Sequence, residues 1–161
     1  TLFFNYQGVS APAKLLEKNW IQFHEQHKND LGAKYLQFCH SQGAVHVRNA
    51  LLGVSQEIRD RVVVVAIAPA TIVPDDICFK SFNYASKRDP IPYTEASLYA
   101  GSDDPLVREL AAQKLEELKQ LILLDPHPDA SLIDHEFESP TFKEPIERHM
   151  ENHVKEYGAS Q

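Results

Sequence analysis

Apolar residues along this chain fall into short extended runs separated by helically spaced stripes. Leu16, Trp20 and Phe23 recur at helical spacing behind Ala11 and Pro12, a residue suited to a first helical turn, and Asn29, Asp30 and Gly32 end the pattern. This predicts a helix with one face packed on a sheet. Residues 35–39 are strand-like and residues 44–52 helical. Residues 62–68 are apolar with no polar alternation, as in a strand buried on both faces. Residues 78–86, carrying Phe79, Phe82 and Tyr84, predict a further strand that stops at Lys87, Arg88, Asp89 and Pro90. A long loop is expected over residues 90–103. Asp104 and Pro105 then open a helix whose stripe is Val107, Ala111, Leu115 and Leu118, running to about Lys119. Residues 121–124 predict a buried strand, 127–140 a loop, and 144–157 a last helix stopped by Gly158. Ahead of them all, residues 2–6 form a short apolar and aromatic run that Gly8 and Ser10 break.

Strands separated by helices pair in parallel, because only a crossover reaches a parallel neighbour. The fold class expected is therefore α/β, a three-layer sandwich with a mainly parallel sheet. No repeat or linker divides the chain, so residues 1–161 are expected to form a single domain. The chain enters an apolar run directly at Thr1, and we expect it to be the C-terminal part of a longer protein.

Composition narrows the function. With 161 residues, 43% of them apolar, there is material for one real core. A formal net charge of −7 without a dense Lys/Arg cluster opposes phosphate backbones, so nucleic acid is not an expected partner. No apolar stretch approaches the roughly 20 residues of a spanning helix, so no transmembrane segment is expected in this chain. Cys39 and Cys78 both lie in strand-like runs, where reduced, buried thiols are the ordinary outcome. A reducing, cytoplasmic location is expected from that.

The candidate chemistry starts at Cys39, His40, Ser41, Gln42 and Gly43, placed between a strand and a helix. That is the layout of a nucleophile elbow, in which a sharp turn presents the serine at the carboxyl edge of a sheet and aims the next N–H, here that of Gln42, at a developing oxyanion. Small residues are wanted two before and two after the serine; Gly43 meets that demand and Cys39 approximates it. In a parallel sheet, functional groups collect beyond the carboxyl ends of the strands, and Asp89 and His135 both follow predicted strands in the order Ser, Asp, His. Imidazole takes the serine proton near neutral pH, and the carboxylate orients the imidazole. Asp75 and Asp76 are rival acids, and His127, framed by Pro126 and Pro128, is the rival histidine or a pocket residue. His40 is expected at the rim or in a positioning role. His24 with His27, and His149 with His153, have spacings that could share a metal, but no carboxylate or cysteine completes a set, and no metal is expected. Glycine-rich phosphate cradles are absent, so no cofactor is expected either. The stretch 90–103 could cover the crevice as a lid or lie open as a surface loop.

The segments Cys39 to Ala50, Val64 to Pro69, Asn83 to Ser86, Asp125 to Pro128 and Asp134 with His135 together resemble an uncharacterised family of chlamydial bacteria. More distantly, the elbow and the partner order are similar to those of lipases, esterases and thioesterases of the α/β-hydrolase superfamily. That likeness implies a partial α/β-hydrolase-like fold and a triad of Ser41, Asp89 and His135. Two departures stand out: Cys39 replaces the usual first glycine, and the early strands that normally supply the second oxyanion donor have no counterpart. The function implied is a serine hydrolase acting on an ester, thioester or amide, with a small-molecule or lipid acyl substrate. The alternative is a non-catalytic module of the same shape that binds a protein or lipid partner.

Overall fold

The computed structural model of the chain describes residues 10–158. The strand-like run at residues 2–6 lies outside the described residues.

Helix α1 (Ala11–Gln26) begins where Ser10 accepts the Ala13 N–H at 3.2 Å, and Pro12 occupies a first-turn position that needs no intrahelical donor. The Ser10 hydroxyl also meets His46 Nδ1 at 2.9 Å, fastening this end of α1 to α2 (Gly43–Gly53). Trp20, fully buried, donates its indole N–H to Gln37 of the sheet at 3.3 Å. The other end of α1 is held by Arg61. Its buried guanidinium donates to the carbonyls of His27, Asp30 and Ala33, which lie at the helix end and in the turn that follows it.

Among the described residues, four strands form one parallel sheet in the order β1 (Tyr35–His40), β2 (Val62–Ile67), β3 (Lys80–Ser86), β4 (Leu121–Leu124). Side chains alternate across it. Cys39, Val62, Val64 and Ala66 face a core shared with Ala13, Trp20, Val47, Ala50 and Leu51 of α1 and α2. Val65, Ile67, Tyr84 and partly buried Phe38 and Phe82 face the opposite core, closed by Phe142 and Ile146 of α6 (Pro140–Tyr157). Helices thus cover both faces and the chain is a three-layer α/β sandwich, which is why β2 is apolar throughout. A short helix, α3 (Gln56–Arg59), precedes β2.

Four details differ from the sequence expectations. Residues 90–103 are largely helix α4 (Ile91–Ala100), not a loop free to fold over a crevice. Its buried positions, Pro92, Glu95, Ala96 and Tyr99, keep helical spacing, but a charge and two prolines near its start hide the stripe. Helix α5 (Pro105–Glu117), capped by Asp104 as expected, turns Leu115 outward at 54% exposure and instead directs Lys114 and Glu117 inward. Lys114 lies 3.3 Å from Glu95 of α4, and Glu117 holds Arg48 of α2 through two bonds of 2.7 and 2.8 Å, so buried ion pairs take the places where apolar packing was expected. Strand β4 is not buried: it is an edge among the described residues, with Ile122 and Leu123 about two-fifths exposed. Helix α6 begins four residues before the predicted start, because Ser139 caps it by accepting the Thr141 N–H.

Candidate functional site

The strand register brings the carboxyl ends of β1, β2 and β3 into line, with His40 opposite Ile67 and Ile67 opposite Tyr84. Segments leaving these strands therefore emerge at one rim. Ser41 follows β1 directly and adopts φ 52°, a region that non-glycine residues enter at a cost of about 1–3 kcal/mol. Three backbone bonds hold it there. Its N–H donates to Ile67 (3.2 Å), and its carbonyl accepts from Ala70 (2.9 Å) and Ala44 (3.2 Å). The turn is thus fixed from the neighbouring strand, from the segment beyond it and from α2. The non-glycine residues with positive φ among those described are Ser41, Ala68 and Asp134, and all three lie on or beside this rim.

Ser41 Oγ lies 2.8 Å from His135 Nε2, and His135 Nδ1 lies 2.7 Å from Asp89 Oδ2. A carboxylate oxygen accepts, so the Nδ1–H donates to Asp89 and Nε2 is left to accept from the serine hydroxyl. Asp89 has a fully buried side chain, and its second oxygen accepts the Ile91 N–H at 2.9 Å, which orients the carboxylate at the start of α4. The His135 ring is about one-quarter exposed and Ser41 is half-buried. The three residues singled out at distant points of the sequence form one continuous hydrogen-bonded chain.

The rivals lie elsewhere. Asp75 sits in a turn before β3, where its N–H meets Gln120, and Asp76 is exposed beside it. His127 is exposed; its ring accepts from the Asp129 N–H and its backbone N–H donates to Thr141, so it does not join the Ser41 chain. His40, by contrast, acts on His135 directly. Its Nε2–H donates to the His135 carbonyl at 2.6 Å, and its ring lies against the His135 ring at 5.1 Å between centroids.

No acceptor among the described residues takes the Gln42 N–H, and Gln42 stands at the N-terminus of α2, where the helix dipole favours negative charge. Crowding at Gly43 is milder than the elbow pattern implies: a Cβ there would meet Cys39 Cβ at 3.6 Å, an ordinary contact. Cys39 packs into the core shared with α1 and α2, and an ordinary contact distance separates it from Gly43.

Asp134 was not anticipated from the sequence as a site residue. It is buried, and its carboxylate accepts from Thr141 Oγ1 at 2.6 Å and from the Ser139 hydroxyl, with the Ser86 hydroxyl nearby. Burial by itself would raise this carboxyl, but the three hydroxyls and the nearby charge of Arg88 hold it below the usual aspartate range. The only signal in the sequence was its place next to His135.

The paired histidines have separate employments. His149 meets the Tyr84 hydroxyl at 2.6 Å, and burial together with Arg148 lowers its proton affinity; His153 donates to the Lys34 carbonyl at 2.9 Å. His24 accepts from Arg61. Among the described residues no group of three histidine, cysteine or acidic side chains is placed to hold a metal ion. A cavity of about 500 Å³ lined by His24, Lys34, Asp60 and Arg61 lies at the opposite, amino-terminal edge of the strands.

No family model, curated protein or solved structure matches the chain. The geometry of Ser41, His135 and Asp89 can lower the cost of ionising a hydroxyl: an imidazole nitrogen is in contact with it, the tautomer is fixed by a buried carboxylate, and the next backbone N–H in the chain, without an acceptor among the described residues, stands at a helix N-terminus. Among the described residues no helix is long and apolar enough to cross a membrane.

Proposed function

We propose that this protein is a serine hydrolase of the α/β-hydrolase type, acting on an ester, thioester or amide of a small-molecule or lipid acyl substrate. The single observation that carries the reading is the chain Ser41, His135, Asp89 at 2.8 and 2.7 Å, with its serine held at positive φ. A serine that merely caps a helix needs neither the strained backbone nor the oriented imidazole.

In the proposed reaction Ser41 Oγ attacks the carbonyl carbon while its proton passes to His135 Nε2. Asp89 stabilises the resulting imidazolium and keeps its orientation. The Gln42 N–H, with the N-terminus of α2, stabilises the oxyanion. As the tetrahedral species collapses, His135 returns the proton to the leaving group. Water, deprotonated by the same imidazole, then attacks the acyl carbon, and the imidazolium returns the proton to Ser41 Oγ as the bond to the acyl group breaks.

A fluorophosphonate probe tests this without knowledge of the substrate. Wild-type protein is expected to label at Ser41, labelling to vanish in Ser41→Ala and to fall steeply in His135→Ala. Equal labelling of Ser41→Ala would refute the assignment. The small described sheet, four strands, favours as second reading a module of this shape that binds a protein or lipid partner without chemistry; an unlabelled wild type would select it.

A further inference from the structure

We propose that Asp134 is the positioning residue that sets the His135 imidazole against Ser41, by gathering the hydroxyls of Ser139 and Thr141 onto one buried carboxylate. The inference rests on the hydrolase reading of the same site and extends it one layer outward.

His135 lies in the segment between β4 and α6, which has no helix or strand of its own. A base on such a segment keeps its geometry only if the backbone beside it is tied to rigid elements. Asp134 supplies those ties. Ser139 is the cap of α6, and Thr141 stands in its first turn. One carboxylate therefore joins the start of the final helix to the residue that precedes the imidazole. Thr141 Oγ1 also accepts the His127 N–H at 2.9 Å, which draws in the start of the same segment.

The backbone at Asp134 has φ 51°, a conformation that aspartate and asparagine tolerate better than most residues. His135 is gripped from the other side as well, through its carbonyl, by His40 Nε2 at 2.6 Å. The imidazole is thus located by a buried polar network on one flank and a histidine clamp on the other. Misplacement of a catalytic group by about 1 Å costs about a hundredfold in rate, so this support falls on turnover and not only on stability.

Asp134→Asn keeps size and the tolerance of positive φ while removing the charge and one acceptor. Thr141→Val removes one donor to Asp134, together with the acceptor of the His127 N–H, at nearly constant shape. The readouts are the low-field resonance of the His135 Nδ1 proton, assigned by its loss in His135→Gln, the kcat and KM for a p-nitrophenyl acyl ester, and thermal melting followed by circular dichroism. Asp134→Asn is expected to shift or lose the resonance and to lower kcat by roughly tenfold to a hundredfold, with KM within about twofold, and Thr141→Val to fall between it and wild type. If both variants are folded and keep the wild-type resonance and kcat, the proposal is overturned. Should Asp134→Asn not fold, Thr141→Val decides by the same measures. A wild type that neither turns over ester nor reacts with a fluorophosphonate defeats the hydrolase reading; the resonance then still decides whether Asp134 places the ring, by moving or by staying unchanged.

Discussion

Asp89→Asn is the substitution that asks most of the proposed site, because Asp89 has two partners with opposite demands on an amide. Its Oδ1 accepts the Ile91 N–H at 2.9 Å and its Oδ2 accepts His135 Nδ1–H at 2.7 Å. If the asparagine keeps its oxygen on Ile91, its NH2 faces Nδ1. The imidazole then carries its proton on Nε2 and donates to Ser41 where it should accept. If the amide turns over, the right tautomer returns but two N–H groups oppose one another in a buried spot, a cost of about 1–3 kcal/mol. At about 1.4 kcal/mol per decade, that route leaves roughly a tenth to a hundredth of the molecules competent. The lost negative charge beside the imidazolium lowers the rate further, toward the roughly 10⁴-fold penalty of a triad locked in the wrong tautomer. The expected fall in rate is therefore about 10²- to 10⁴-fold, with the fold intact. The assay is the second-order rate of fluorophosphonate labelling together with kcat on an activated ester, with Ser41→Ala as background and a thermal melt as the check on folding. Labelling within about threefold of wild type would refute the role given to the carboxylate.

Three further outcomes follow from the same structure. Arg48→Met is expected to destabilise the protein by about 3 kcal/mol or more in denaturant titration, since it strands the mostly buried Glu117 carboxylate beside Lys114, and a loss below about 1 kcal/mol would show that Lys114 suffices as partner. Burial pushes the Cys39 and Cys78 thiols up to about 12, so neither is expected to react with Ellman's reagent until the protein unfolds; rapid reaction of native protein at neutral pH would contradict their placement. Because the Asp134 carboxyl is held below its ordinary value, it stabilises the fold above the usual aspartate range and loses that contribution as pH falls through its lowered value. The stability gap between wild type and Asp134→Asn, measured by denaturant titration across acidic pH, should accordingly close toward low pH; a gap that widens on acidification would reverse the assignment.

Much of the architecture was legible because its signals are local. The unbroken apolar run of β2, the stripe of α1 and the Asp104, Pro105 start of α5 each state their own surroundings. The elbow was equally plain, since a strand, a short turn with Gly43 and a helix occupy adjacent residues. The misread elements are those whose partners lie elsewhere in the chain. Nothing near residue 114 announces that Lys114 would be buried, because its counter-charge, Glu95, belongs to another helix. Edge position removed the expected burial of β4, and a cap at Ser139 rather than a helix-forming residue moved the start of α6. Asp134 was overlooked for the same reason: a carboxylate in a loop is unremarkable until two hydroxyls from a helix start converge on it.

By itself, then, the sequence determined the alternation of strands and helices, the parallel sheet that such alternation requires, and which hydroxyl, carboxyl and imidazole stood after strands. Only the tertiary structure decided that these three groups touch, which tautomer the imidazole carries, and what holds it there. The physical reason is range. Periodicity and turn chemistry act over a few neighbouring residues, whereas a hydrogen bond between Ser41 and His135 depends on strand register, helix packing and the backbone of an intervening segment, all of which must be in place before an atom-scale distance is set.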